Sequence, residues 1–139
     1  MSEAAVVVKR VIKADPERVF EAFTKPEIMN EWFYGMDEGT AEVSNTLEAG
    51  GGFSINMRSV DGTEYMHTGE YREIVPHEKL VFTWNSNFAK DTVVTVSFRP
   101  VPGGTEVTIM HELLTVSERE PHRRGWTVCL GNLGRLFTR

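Results

Sequence analysis

The feature that most constrains this chain is its last stretch, Pro121 to Arg139. Trp126, Cys129, Leu130, Leu133, Leu136 and Phe137 recur at steps of three and four, which sets them on one face of an α-helix. Arg124, Gly131, Asn132, Arg135 and Arg139 fall mostly on the other side or at the ends. Between Thr40 and Leu114 the sequence reads instead as short alternating strands. One long amphipathic helix after a run of strands must bury its stripe against the sheet they form. The functional question is whether that interface is solid or hollow.

The strands follow from period-two alternation and the turns between them. Val6 to Ile12 is β-branched and forms a first strand. Asp15-Pro16-Glu17 starts a helix: the aspartate caps, the proline fits the first turn, and the glutamate complements the dipole. Val19, Phe20 and Phe23 form its inner face, and Pro26 begins a second short helix running to about Trp32. After the Tyr34 to Gly39 loop come Ala41–Ser44, then Gly50-Gly51-Gly52 as a turn into Phe53, Ile55 and Met57. Asp61-Gly62 makes a hairpin turn into a long strand, Glu64 to about Val75. Lys79–Asn85, Thr92–Arg99 and Thr105–Leu114 complete a six-stranded antiparallel meander, and the first strand makes seven. Ser117 and Glu120 have capping-box spacing just ahead of the terminal helix. The fold class is α+β: a curved seven-stranded antiparallel sheet around a long C-terminal helix, with two short helices after the first strand.

With 139 residues the chain makes one domain, 1–139. A net charge of −5 argues against nucleic acid. The basic residues Arg119, Arg123, Arg124, Arg135 and Arg139 are too dilute for a nucleic-acid or membrane patch. The lone cysteine, Cys129, excludes an internal disulfide and reads as a buried thiol. Ala4 to Val8 is too short for a signal peptide and nothing reaches transmembrane length, so a cytoplasmic protein is expected.

His67, His77, His111 and His122 show no paired ligand spacing, so no metal is expected, and no cofactor either. His77 and His122 lie at a turn and a helix start and are expected to be exposed. His111 shares an inward face with Val107, Ile109 and Leu113, and His67 a face with Tyr65 and Tyr71. Each imidazole is open to three roles: a core group held by a hydrogen bond, a ligand contact, or a general base. Trp32, Phe33, Phe53, Met57 and Met66, with Phe82, Trp84, Phe98 and Trp126, divide between core and cavity wall. Glu70, Glu73 and Glu112 offer no carboxylate pair of predictable geometry, and Gly50–Gly52 precede a strand, so they form no phosphate loop. Gly131 and Gly134 in the helix imply either close packing or freedom to move.

Several motifs in order carry a resemblance. They are Asp15-Pro16-Glu17-Arg18-Val19-Phe20; Thr24, Pro26-Glu27 and Trp32; Gly51-Gly52-Phe53; Gly69, Glu73-Ile74, Pro76, Glu78-Lys79-Leu80-Val81 and Thr83-Trp84; Gly104-Thr105 with Val107-Thr108; and Gly125-Trp126 with Leu130 and Leu133. Together the chain resembles the START-like (SRPBCC) helix-grip superfamily, and within it the family related to the activator of heat-shock protein 90 ATPase. The resemblance implies an apolar pocket between sheet and long helix. The expected function is binding of a small hydrophobic ligand, aromatic or lipid-like, by a monomer or weak dimer. The expected lining is Trp32, Phe53, Phe82, Trp84, His111, Trp126 and Leu130, with His67 and Tyr71 as polar contacts. The alternatives are a stress-related co-chaperone partnering the chaperone and a cyclase-type enzyme using His67 or His111. The separate N-terminal domain of the eukaryotic activators has no room here, and the end at Arg139 is expected to leave one cavity mouth open.

Overall fold

The computed structural model describes residues 5–36 and 38–138. Expectations resting on Ala4 and Arg139 fall outside the described residues. Among the described residues the order is β1 (Val6–Ile12), α1 (Pro16–Thr24), α2 (Pro26–Met29), β2 (Gly39–Asn45), β3 (Gly52–Ser59), β4 (Glu64–Val75), β5 (Lys79–Trp84), β6 (Thr92–Val101), β7 (Gly104–Glu112) and α3 (Val116–Leu136). The strands pair antiparallel in the order β1-β7-β6-β5-β4-β3-β2. Consecutive strands are neighbours throughout the meander, and β1 closes the far edge by pairing with β7, Val8 opposite Ile109. The curled sheet with α3 and the short helices is the helix-grip architecture that the pattern predicts.

Local chemistry accounts for most boundaries. Asp15 caps α1, its carboxylate accepting from the Arg18 amide at 3.0 Å, and Pro16 follows at the first helical position. In β6 and β7 the buried residues alternate strictly, so Val94, Val96, Phe98, Val107 and Ile109 all turn to the concave face. Against them pack Val19, Phe20 and Phe23 of α1, Trp32 and Phe33 after α2, and Trp126, Leu130 and Leu133 of α3.

Three boundaries differ from expectation. The terminal helix begins at Val116, five residues before Pro121. The capping box is Thr115 with Glu118, whose carboxylate accepts from the Thr115 amide at 2.9 Å; Ser117 and Glu120 are not the pair. Pro121 therefore lies inside α3, where it has no N–H to offer the Ser117 carbonyl one turn back. Next, α2 ends at Met29 rather than Trp32. Finally, Leu113 does not continue the inward face of β7: the strand stops at Glu112, Leu113 takes φ 70° and is 67% exposed. Met66 likewise points away from the core. The two helical glycines part company. A Cβ at Gly134 would meet the Arg10 guanidinium at 2.7 Å, which is close packing, whereas one at Gly131 would touch only the end of Arg135.

Candidate functional site

A cavity of about 320 Å³, partly open to solvent, lies between the sheet and α3. Its sheet wall is Met57 and Ser59 of β3, Tyr65 and His67 of β4, and Trp84 of β5. Its helix wall is Pro121, His122, Gly125, Trp126 and Cys129, positions that share one α-helical face because they step by three and four. Gly35, Met36 and Phe88 complete the lining. The wall is chiefly apolar, and no Lys, Arg, Asp or Glu is among the described residues that line it.

The space exists partly because residue 125 has no side chain. A Cβ built on Gly125 would meet no atom within 4 Å, whereas one built on Gly35 would meet the Gly125 Cα at 3.3 Å. Every larger residue here would project into the void.

His111 lies behind this wall and is fully buried. The Trp126 indole N–H donates to His111 Nδ1 at 3.0 Å. That bond requires Nδ1 to be unprotonated, so the neutral ring carries its proton on Nε2. Nε2 then donates to Thr92 Oγ1 at 2.8 Å, and the Thr92 hydroxyl donates to the Trp84 carbonyl at 2.7 Å. One chain of donors thus ties α3 to β7, β6 and β5 with each member satisfied. Burial, followed by the charge of neighbouring His122, lowers the His111 pKa from 6.5 to about 3. Both nitrogens are engaged by protein groups. His111 is a structural tie, and ligand contact or base catalysis is not open to it in this arrangement.

His67 is different. It lines the cavity, its ring tilted against Trp84 with centroids 4.8 Å apart. Its Nδ1 donates to the Tyr65 carbonyl at 3.1 Å, which leaves Nε2 as the lone pair of the neutral ring. Burial lowers its pKa to about 4. His122, expected at an exposed helix start, is half-buried in the cavity wall and packs edge-on to His111 at 5.0 Å. Its Nδ1 donates to the Glu118 carbonyl at 2.7 Å.

Of the nine residues singled out from sequence, His67, Trp84 and Trp126 line this cavity. The others sit elsewhere for identifiable reasons. Trp32 is fully buried and donates its indole N–H to the Ala22 carbonyl at 2.9 Å, joining the turn after α2 to α1. Phe53, Tyr71 and Phe82 pack on one another around a void of only about 10 Å³, no more than one water's worth. The Tyr71 hydroxyl accepts from Asn45 Nδ2 at 3.1 Å, and burial raises its pKa. Leu130 is solid core. Cys129 does reach the cavity, but burial pushes its thiol pKa far up, so it is an inert wall. The Trp84 indole N–H is buried with no hydrogen-bond partner among the described residues. No group of three metal-ligating side chains occurs among them, and no helix there is long and apolar enough to cross a membrane.

Residues 13–138 match the family described as Activator of Hsp90 ATPase homolog 1-like protein, and the chain belongs to that family. No curated protein matches it. Among solved structures it is similar to a protein from Chromobacterium violaceum, 24% identical with a TM-score of 0.88 over 99% of each chain. An AHSA1-like protein from Aeromonas hydrophila is 23% identical, with a TM-score of 0.82 over 94% of this chain and 90% of that one. A protein from Rhizobium leguminosarum is 25% identical, with a TM-score of 0.81 over 98% and 95%. These likenesses show the fold.

Proposed function

We propose that this member of the Hsp90-ATPase-activator-like family binds a small hydrophobic molecule, aromatic or lipid-like, between its sheet and α3. The observation that supports this most is the cavity of about 320 Å³ walled by Met36, Met57, Trp84, Phe88 and Trp126. Its volume is at the lower end of the range usual for ligand pockets. A domain that only needed a core would fill that space, since interiors are packed as densely as organic crystals. Binding would be driven by burial of ligand surface, about 25 cal/mol per Å² before ordering costs. We further propose that the protein acts in the cytoplasm as a monomer or weak dimer and needs no cofactor.

The test is native mass spectrometry of protein purified from cells, with Gly125→Leu as the filled-cavity control. A small molecule of definite mass, released on denaturation and absent from the variant, is the expected result. An adduct equally abundant on Gly125→Leu would move the ligand out of this cavity. The family's own description favours a second reading, a co-chaperone. A stoichiometric complex with the chaperone and a raised ATPase rate, both unaffected by Gly125→Leu, would put that reading first.

A further inference from the structure

Resting on that ligand-binding reading, we infer that the cavity selects a compact two-ring aromatic molecule bearing a hydroxyl group, whose one hydrogen goes to Nε2 of His67 or of His122.

Size sets the first limit. An apolar cavity of about 150 Å³ takes up one benzene, so one of about 320 Å³ suits two rings better than a long acyl chain. The walls are flat and polarizable, with Trp84 and Trp126 at 5.0 Å centroid separation and Met36 and Met57 beside them. Such walls complement a planar ligand.

The polarity follows from the hydrogen bonds already made. His67 and His122 stand on opposite walls, one on β4 and one on α3. Each gives its Nδ1 hydrogen to a backbone carbonyl, at 3.1 and 2.7 Å, and a carbonyl can only accept. In the neutral ring Nε2 is then an acceptor in both. Of the wall's own hydrogens, Ser59 gives its to the Asp61 carboxylate and Trp126 to His111, while the Trp84 indole N–H is buried without a partner among the described residues and can be accepted by the oxygen of that same hydroxyl. The Tyr65 hydroxyl can serve either way and does not discriminate. The fixed polar features therefore ask the ligand for a hydrogen to donate. A carboxylate would meet the His67 lone pair and no Lys or Arg among the described lining residues, in a protein of net charge −5.

The experiment is calorimetric titration at pH 7.5 of the wild-type protein with 2-naphthol, 2-methoxynaphthalene and 2-naphthoate. The naphthol should bind at least about tenfold tighter than its methyl ether, which has no hydrogen to give, and the naphthoate weakest. In the double variant His67→Phe/His122→Phe the naphthol should fall toward the ether while the ether's own affinity holds. Equal binding of naphthol and ether would overturn the donor requirement and leave the hydrophobic-ligand reading intact. A naphthol preference undiminished in the double variant, or tightest binding of the naphthoate, would overturn the role of the histidines. Failure of all three probes to bind would overturn the two-ring inference, while the ligand-binding reading stands or falls on the native mass spectrum. The wild-type comparison is decisive even where a variant does not fold.

Discussion

Mild acid should destabilise this protein well before its carboxylates protonate. His67 and His111 are held neutral by burial, with pKa values lowered from 6.5 to about 4 and about 3. In the unfolded chain both titrate near 6.5. Below that value the unfolded state binds protons that the folded state refuses, so stability falls as pH falls. The loss begins near pH 6.5 and continues until each folded-state pKa is reached, about 4 for His67 and about 3 for His111. Above pH 7 neither group contributes any slope. The slope rises from about half to nearly all of 1.4 kcal/mol per pH unit for each histidine, so the drop from pH 6.5 to 5 is about 1.6 kcal/mol each. About 3 kcal/mol together is a large part of the 5–15 kcal/mol typical of a domain. The carboxylates of Asp61, Glu64 and Glu106, lowered by hydrogen bonds from Ser59, Arg58 and Arg99, act in a lower window and do not confuse it. Urea unfolding followed by circular dichroism at pH 7.5, 6.5, 5.8 and 5.0 measures the slope. In His67→Phe the slope between pH 6.5 and 5 should be halved. A free energy that stays level across this interval would refute the claim that both imidazoles are folded in as neutral groups.

Three further outcomes follow from the same contacts. Trp126→Phe removes the donor to His111 Nδ1 and leaves a fully buried acceptor unpaired; it should cost about 1–3 kcal/mol in chemical denaturation, and a loss below half of that range's lower end would deny the tie its structural role. Gly125→Ala places a methyl where no atom lies within 4 Å, so it should stabilise α3 by up to about 1 kcal/mol, read as a raised melting temperature; a lowered one would mean that the glycine is required for close approach. Glu118→Ala breaks the reciprocal cap on Thr115 and should cost about 1 kcal/mol, whereas Glu120→Ala should be nearly silent.

The fold was legible because its signals are local and repeated. Alternation along β6 and β7, the Asp15-Pro16 helix start and the Asp61-Gly62 turn each act over a few residues, and they agree with one another. The site was less so. Trp32, Phe53 and Phe82 are the residue types that line a hydrophobic pocket, yet they are also the types that fill a core, and only their three-dimensional neighbours decide between the two. Met36 and Phe88 come from loops, whose direction no periodicity reports.

One part of the site was recoverable, and it turns on where α3 starts. With the helix begun only at Pro121, His122 would sit at a frayed, solvated end. With Thr115 and Glu118, His122 lies a full turn inside the helix and one turn before Trp126. Residues 122, 125, 126 and 129 then form a single face. That face differs from the stripe first read there. It is displaced toward His122 and carries a glycine, a histidine and a cysteine among its members, so it buries less volume than the Leu130–Leu133 face beside it. A helix with one bulky face and one sparse face, both turned to the same curved sheet, closes the core at its C-terminal half and leaves room at its N-terminal half. The proline at 121 sits at the start of the sparse half, where the Ser117 carbonyl gets no bond from residue 121. The hollow interface is thus a property of where small and polar residues fall along α3, and the donor chain from Trp126 to Trp84 ties that half of the helix to β7, β6 and β5 beside it.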